Sequence, residues 1–451
     1  MSDYRSVLFL IADDWSRIAK CYGDNFVQTP NIDRLAEQGV VFDYAFCTSP
    51  SCAVSRACIL TGQHSHTHGQ YGHCHGIHGF RTHDHMQSIP KILKMKGFAT
   101  GCIGKKHVEP PSVYPFDYEP SVNSRSPEDI SDATGQFLAS AKDQPFYLHI
   151  GSGYPHRSGN SYENEKIYAG IQPIGYDPDL VPVPNFLPDN PNTRADLSEY
   201  YESISRWDQV VGSVLNVLKK SGRASETLVF VTTDHAMPFP GAKASSFDSG
   251  HHCPLVVYSP IQQNRGIHNQ ALVNWVDYCP TILDWCGVSY PENALPLAGR
   301  SFLPILDDNS LPIGNGEWEE TYYSHCFHEV TNYYPYRVLR GRRYKYVRNL
   351  AHSLEMPLPS DLFRSITWTA VRDENIDQLG ERTLQSFLYQ SREAVFDMIN
   401  DPAESKNLIA EPNLAEKIEQ MRQKVIDFRH RTKDPWLEQS FQEGEINTFT
   451  S

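Results

Sequence analysis

The sequence predicts an α/β fold: a sandwich on a mostly parallel central sheet, followed by a smaller C-terminal α+β domain with an antiparallel sheet. Two observations predict this fold. In the first two thirds of the chain, continuous apolar runs alternate with helical segments, and such runs are typical of strands buried on both faces of a parallel sheet. Beyond about residue 315 the runs become short and strand-like, with one helix at the end. We therefore predict two domains, residues 1–315 and 316–451.

Four apolar runs predict the central strands: 6–11, 99–103, 146–150 and 228–232. Each run is followed by polar residues, and in open α/β sheets ligands bind beyond the carboxyl ends of the strands. We therefore expect these polar residues to meet at one edge of the sheet. In chain order they are Asp13 and Asp14, Lys105 to His107, Tyr154 to His156, and Asp234 with His235.

Helices between these runs have recognisable ends. Thr29 and Pro30 predict the start of a helix that Gly39 ends, because an N-cap threonine, a first-turn proline and a terminal glycine favour helix boundaries. An amphipathic stretch at 196–220 predicts a longer helix closed by Gly222. In the C-terminal part, strands are predicted around 322–323, 336–339, 344–347 and 394–398, with a covering helix at 414–428.

Composition argues against some classes of protein. The chain of 451 residues has a formal net charge of −14, which argues against nucleic acid or an anionic membrane surface as the partner. No apolar run reaches the length of a transmembrane helix. The N-terminus lacks the features of a secretory signal, and the ten cysteines show no paired spacing. We expect a cytoplasmic protein, or a periplasmic or secreted one if the sequence is trimmed; monomer and homodimer both stay open.

The strongest local signal is the run at 51–62, Ser-Cys-Ala-Val-Ser-Arg-Ala-Cys-Ile-Leu-Thr-Gly. Cys52 is expected at a helix N-terminus, where the helix dipole favours negative charge, and Arg56 one turn later shares its face. The structural alternative is a half-buried cysteine near a surface arginine. The run resembles the signature of the type I sulfatases, Cys-x-Pro-x-Arg, whose cysteine is oxidised to formylglycine. Val54 departs from this signature, because most members have proline or alanine there.

The resemblance to the type I sulfatases extends over nearly the whole chain. The further matching segments are 12–14, 104–107, 155–156, 233–235 and 396–408. Stretches such as 113–117, 238–240, 280–285 and 328–331 are most similar to the sulfamidases of this family, which remove N-sulfate from glucosamine. The resemblance implies an alkaline-phosphatase-like sandwich, a formylglycine-generating maturation enzyme as partner, and a C-terminal domain that contributes to the substrate pocket.

Three carboxylates predict a metal site. Asp13, Asp14 and Asp234 offer the hard oxygen ligands that calcium prefers. The resemblance adds His235, at a position where many sulfatases have asparagine. We expect Ca²⁺, with Mn²⁺ or Mg²⁺ as alternatives. The structural alternative is a solvated loop after the first strand, although two adjacent carboxylates there call for a cation or a base nearby.

The resemblance also implies catalytic roles. The hydrated formylglycine at Cys52 is the nucleophile, and the cation lowers the pKa of its attacking hydroxyl. Lys105 and Lys243 bind the sulfuryl oxygens, although a solvated lysine is an equal alternative for Lys243. His156 protonates the leaving atom. The residues that hold the nucleophile in place are His107 and Arg56.

Substrate contacts are predicted for the sulfamidase-like segment near residue 328. His328, Glu329 and Arg337 are expected to close the pocket around the sugar ring, because side-by-side ionisable residues are rarely buried unless paired. The alternative is a structural ion pair between Glu329 and Arg337. Eight histidines lie between residues 64 and 85, and a zinc site is one interpretation. Their spacing fits no standard finger, so we interpret them as polar loop residues, of which His78 contacts substrate.

The sequence thus predicts a sulfohydrolase that removes the N-sulfate of glucosamine in heparin- or heparan-type fragments. The alternatives are an O-sulfatase for another sulfated glycan, a hydrolase of phosphate or phosphonate esters, which fit the same kind of pocket, and a sulfated-glycan binder whose Cys52 is never oxidised. The expected substrate partner is a sulfated mono- or oligosaccharide.

Overall fold

The computed structural model describes residues 5–307 and 316–437, and its largest sheet has eight strands. These are β1 (Ser6–Ala12), β2 (Val40–Phe46), β3 (Ala99–Gly104), β4 (Phe146–Gly151), β5 (Thr227–Thr233), β6 (His252–Cys253), β7 (Leu255–Tyr258) and β8 (Ile267–Asn274). Their order is β3-β4-β1-β5-β7-β2-β6, with β8 beside β2. The four neighbours β3, β4, β1 and β5 are parallel, whereas β7 and β6 run antiparallel to the strands they pair with. The predicted mostly parallel sheet is confirmed.

Helices cover both faces of this sheet. They are α1 (Pro30–Gln38), α2 (Cys52–Thr61), α3 (Ser65–His68), α4 (Ile89–Met95), α5 (Pro127–Ala141), α6 (Pro191–Lys220), α7 (Asp248–His251) and α8 (Tyr278–Trp285). On β1, Phe9 packs in the core formed with α2, α4 and α8, and its neighbour Leu10 packs in the core formed with α1, α5 and α6. Burial of both faces of β1 explains why its sequence is continuously apolar.

The long helix α6 begins at Pro191 rather than at the predicted residue 196. The side chain of Asn190 caps it by accepting a hydrogen bond from the backbone N of Thr193 at 2.9 Å. Pro191 then occupies the first turn, where its missing N–H costs nothing. Within residues 5–307 and 316–437, the helices are too short or too polar to cross a bilayer.

The second sheet is antiparallel, as predicted. The remaining strands are β9 (Glu320–Phe327), β10 (Tyr333–Gly341), β11 (Tyr344–Asn349), β12 (Gln378–Leu379), β13 (Arg382–Thr383) and β14 (Glu393–Asp397), and the second sheet has the order β14-β11-β10-β9. The helices of this part are α9 (Ser360–Phe363), α10 (Ile366–Asp373), α11 (Leu384–Leu388) and α12 (Ala415–Arg431). Met421 and Val425 of α12 pack on Leu339 and Tyr346 of the sheet, so α12 is the predicted covering helix.

Four buried charged residues, which we call the junction ion cluster, join α7 to the second sheet. Nε of Arg340 lies 2.8 Å from Oδ2 of Asp248. Nζ of Lys345 lies 3.2 Å from Oδ1 of Asp248 and also contacts Glu404. The predicted division at residue 315 stays a prediction, because residues 308–315 lie outside the described part of the chain.

Candidate active site

The carboxyl ends of β1 and β5 and the start of α2 meet at one edge of the central sheet. β1 and β5 are adjacent and in register, so the pairs that follow them lie side by side. These pairs are Asp13 with Asp14 and Asp234 with His235. Sγ of Cys52, the first residue of α2, lies 3.3 Å from Nε2 of His235 and 3.9 Å from Oδ1 of Asp14. The structure therefore brings the four predicted metal ligands together with the predicted nucleophile.

Arg56 and Lys105 compensate the charges of two of these carboxylates. Nε of Arg56 donates to Oδ2 of Asp234 at 3.0 Å, and its Nη2 lies 3.7 Å from Oδ1 of Asp13. Nζ of Lys105 contacts Oδ2 of Asp13. Burial alone would raise the pKa of Asp13, but Lys105 holds this pKa well below its usual range. Burial does raise the pKa of Asp234, although Arg56 opposes the shift.

Asp14 bridges His235 and Lys243. Its Oδ1 lies 2.9 Å from Nε2 of His235, and its Oδ2 lies 2.9 Å from Nζ of Lys243 and 3.8 Å from Nε2 of His156. Burial alone would raise the pKa of Asp14, but Lys243 and His235 lower it. Nζ of Lys243 also donates to Asp361 at 2.8 Å, and its side chain is only 1% exposed. The alternative of a solvated Lys243 is therefore wrong.

The backbone of Asp14 is left-handed, with φ at 73°. This conformation costs a non-glycine residue roughly 1–3 kcal/mol and persists only where its surroundings hold it. Here the backbone N of Asp14 donates to Oδ1 of Asp234 at 3.1 Å, and its carbonyl accepts from the Tyr200 hydroxyl at 2.8 Å. His107, another predicted catalytic residue, also has positive φ, at 57°. Such strain concentrates at functional sites.

The carboxylate cluster fits a hard divalent cation. Oδ1 of Asp13 is buried and has no hydrogen-bond partner among the described residues, and a buried polar atom of this kind calls for an ion or water. One ligand atom from each of Asp13, Asp14, Cys52 and His156 lies within 4.8 Å of the others. The same is true of Cys52 with Asp234 and His235. The two groups share Cys52 and together supply three carboxylates, which suit a cation that prefers oxygen ligands.

A cavity of about 480 Å³ adjoins this cluster. Six predicted site residues line it: Lys105, His107, His156, Lys243, His328 and Glu329. The last two come from the turn between β9 and β10, so the C-terminal part of the chain contributes to the cavity. Four further lining residues were not predicted: His73, His75, Ser360 and Asp361.

The sequence gives little indication that these four residues line the cavity. Ser360 and Asp361 begin the short helix α9 after a loop, and neither belongs to a motif. His73 and His75 belong to the histidine-rich run that we interpreted as polar loop. The structure corrects that interpretation, because His73 is buried at the cavity wall and His66 and His68 are buried elsewhere.

Arg337 does not line the cavity, which corrects the prediction that it binds substrate. Its guanidinium is fully buried and forms two bonds to Asp434, Nε to Oδ2 at 2.8 Å and Nη2 to Oδ1 at 2.9 Å. The alternative ion pair with Glu329 is also wrong, because Glu329 instead accepts hydrogen bonds from the backbone N and hydroxyl of Ser360. His78 lies beside the cavity, where its Nδ1 accepts from the backbone N of Val330 at 3.2 Å; its contact with substrate stays a prediction.

Comparison with known proteins places this chain in a family. The Sulfatase model matches residues 5–288, and the model of the C-terminal part of N-sulphoglucosamine sulphohydrolase matches residues 242–358. Human N-sulphoglucosamine sulphohydrolase is 34% identical, covering 96% of this chain and 91% of the human protein. An ulvan-active sulfatase of Formosa agariphila is 27% identical, covering 92% of this chain and 77% of that protein.

Solved structures agree on the fold. A protein in complex with its substrate, D-glucosamine-2-N,6-O-disulfate, superposes with a TM-score of 0.68 at 19% identity, covering 96% of this chain and 99% of that one. The chain that matches the Sulfatase model over more than half its length thus contains Cys52 at the start of α2 and the three carboxylates beside it. It also contains the buried Lys243 and the half-buried Lys105. The chain belongs to the sulfatase family.

Proposed function

We propose that the protein hydrolyses sulfated saccharides and that its preferred bond is the N-sulfate of a glucosamine end in heparin- or heparan-type fragments. One observation carries this proposal. The similarity to human N-sulphoglucosamine sulphohydrolase runs through 96% of the chain, and the matching C-terminal model includes His328 and Glu329 at the cavity. The part of the chain that faces the sugar is therefore similar to a sulfamidase, as is the part with the nucleophile.

Sulfatases use a formylglycine and a metal ion. At Cys52, the hydrated aldehyde would supply a hydroxyl nucleophile whose pKa is lowered by the bound cation. We propose Asp13, Asp14, Asp234 and His235 as ligands of that cation. Because three of the four are carboxylates, we propose Ca²⁺, with Mn²⁺ or Mg²⁺ as alternatives.

The two lysines bring positive charge to the cavity wall. Burial alone would lower the pKa of Lys243, but Asp14 and Asp361 raise it well above the ordinary value, so this side chain stays protonated. Lys105 is likewise held protonated by Asp13, against the effect of burial. Two fixed ammonium groups attract a sulfate and offset the negative charge that moves onto its oxygens in the transition state.

Maturation of Cys52 requires access that the folded chain does not give. Cys52 is 1% exposed, and burial raises the pKa of its thiol, which makes it unreactive in the folded protein. We therefore propose that a formylglycine-generating enzyme acts on the segment around Cys52 before α2 has packed.

Defined saccharides test the proposal. Protein co-expressed with a maturation enzyme is incubated with glucosamine N-sulfate and with glucosamine 6-O-sulfate, and released sulfate is measured. We expect a higher kcat/KM for the N-sulfate. Faster turnover of the O-sulfate would favour the O-sulfatase alternative. Absence of turnover on both, with an unoxidised Cys52 peptide by mass spectrometry, would favour a sulfated-glycan binder.

Sulfate release from glucosamine N-sulfate is expected to accelerate as the pH falls from about 7 to about 5. Burial lowers the pKa of His156 to about 4, against the attraction of Asp13 and Asp14. Only a small fraction of His156 is then protonated at neutral pH, and each unit of acidification raises that fraction about tenfold. The measurement is kcat/KM against pH.

His156→Ala should remove this pH dependence. It should also slow saccharides much more than nitrophenyl sulfate, whose leaving group needs little protonation. Equal losses on both substrates would instead assign His156 to binding.

Glu329→Gln should lower kcat/KM on sulfated saccharides by 10- to 100-fold, because a hydrogen bond to a charged group contributes about 1.5–3 kcal/mol. Small aryl sulfates, which lack the sugar hydroxyls, should be spared. The matched control is Glu355→Gln, since Glu355 is exposed and bonds to Tyr389 rather than lining the cavity. If both activities and the Tm fall together, Glu329 is structural and acts through its bonds to Ser360.

A further inference from the structure

Three histidines at the cavity wall form a group that the proposed reaction does not require as a group. His73, His75 and His107, which we call the imidazole cluster, each present a ring nitrogen within 4.8 Å of the other two. His73 and His75 come from the loop after α3, and His107 follows β3. The cluster is separate from the carboxylates that follow β1 and β5.

The hydrogen bonding within the imidazole cluster is incomplete. Nδ1 of His75 lies 2.8 Å from Nε2 of His107, and the rings of His73 and His107 stack with centroids 5.0 Å apart. Nδ1 of His73 and Nδ1 of His107 are buried and have no hydrogen-bond partner among the described residues. Buried polar atoms are normally paired, so two orphaned nitrogens in one small cluster call for a ligand.

We infer that His73, His75 and His107 form a binding site for a divalent transition metal such as Zn²⁺. Imidazole nitrogen suits Zn²⁺, Cu²⁺ and Ni²⁺, whereas Ca²⁺ prefers carboxylate oxygen. One chain thus offers two sites of different ligand chemistry. Three protein ligands leave the fourth position of a tetrahedral zinc open to water or to a group of the substrate.

Protonation and access both favour metal binding. Burial lowers the pKa of each of the three imidazoles, with His78 or Lys105 adding to the shift at His75 and His107. The rings are therefore neutral at pH 7, as metal ligands must be. His75 is exposed, so a metal can enter the site from solvent.

A metal at this site would control access to the nucleophile. The cavity wall that holds the imidazole cluster also holds Lys105 and Lys243, which we propose to bind sulfate. Bound Zn²⁺ would occupy part of the volume that a saccharide needs, and we expect it to raise KM. This consequence rests on the proposed function, whereas metal binding itself does not.

The test uses full-length Cys52→Ala protein saturated with Ca²⁺, so that neither the thiol nor an empty carboxylate site competes for zinc. Zn²⁺ is titrated calorimetrically, and Co²⁺ serves as a spectroscopic probe. We expect one zinc per chain. Adding His75→Gln should weaken its affinity at least tenfold, since even changes outside the ligand set commonly cost 10- to 100-fold. The matched control is His85→Gln, because His85 is an exposed histidine of the same loop outside the cavity.

Three outcomes would overturn the inference: no zinc bound, equal affinity in the His75→Gln and His85→Gln proteins, or a thiolate-to-cobalt charge-transfer band, which would place the metal on a cysteine such as Cys74. In matured wild-type protein, Zn²⁺ should raise KM for the N-sulfated sugar, and this effect should shrink with His75→Gln. Binding is measured without turnover, so failure of the zinc site and failure of the proposed function are distinguishable.

Discussion

Cys52→Ala is expected to abolish sulfate release, with kcat falling on the order of 10⁵- to 10⁶-fold, as when a nucleophile is removed from a hydrolase whose catalytic groups act as a unit. The physical reason is the position of the Cys52 side chain next to the proposed metal ligands. Among the described residues, Sγ of Cys52 is the side-chain atom that reaches both His235 and Asp14 from the start of α2. The measurement is sulfate release from an N-sulfated glucosamine at saturating substrate, with the Cys52 peptide of the parent protein checked for conversion by mass spectrometry.

Cys58→Ala is the matched control for this prediction. Cys58 lies on the same helix and is fully buried, but its Sγ contacts Nε2 of His68, at 3.3 Å, rather than the carboxylate cluster. The Cys58→Ala protein should be somewhat less stable, because packing around the side chain is lost, but its kcat should be unchanged. If Cys52→Ala retained activity within tenfold of the parent, or if Cys58→Ala lost as much, Cys52 would not be the nucleophile.

Asp434→Asn is expected to lower the free energy of unfolding by about 3–5 kcal/mol, since it removes one partner of a buried ion pair and leaves the other uncompensated. Asp434 binds Arg337 through two bonds and also accepts from Nε of Arg429 at 3.0 Å. The measurement is urea unfolding at constant pH. Asp189→Asn is the control, because Asp189 pairs with Arg194 at the surface, and exposed pairs contribute at most about 1 kcal/mol.

The same pair makes stability depend on acidity in a defined direction. Burial alone would raise the pKa of Asp434, but Arg337 holds it far below its ordinary value. A depressed folded-state pKa stabilises the protein at pH values above the unfolded-state pKa, and this stabilisation is lost as the pH falls toward the folded-state pKa. The difference in the free energy of unfolding between the parent protein and Asp434→Asn should therefore become smaller as the pH is lowered. A constant gap would mean that Asp434 acts through packing rather than charge.

Local sequence patterns correctly predicted those strands and site residues that can be recognised from a few neighbouring positions in the chain. The continuous apolar runs identified four adjacent central strands, because burial on both faces imposes that composition. The polar pairs after β1 and β5 were placed correctly, since parallel neighbours end at the same edge. Cys52 and Arg56 followed from one motif on one helix.

Contacts between distant segments could not be predicted in this way. We predicted that Arg337 binds the sugar. Its actual partner, Asp434, lies 97 positions later and belongs to no local pattern. Asp361, which fixes Lys243 at the cavity, lies 118 positions from it. His73 is buried next to His328, 255 positions away, with 2.9 Å between their Nε2 atoms. In each case the sequence contains residues of the right type, but only the three-dimensional structure shows which of them are in contact.

The junction ion cluster has a consequence for the order in which the protein is made. Asp248 lies five positions after Lys243, and its charge is compensated by Arg340 and Lys345, with Glu404 completing the group. The two residues that compensate the charge of Asp248 are therefore synthesised long after Cys52. At roughly 5–20 residues per second, Cys52 emerges tens of seconds earlier. For the maturation enzyme that we propose, this interval would give time to reach the thiol of Cys52 before the active site has assembled.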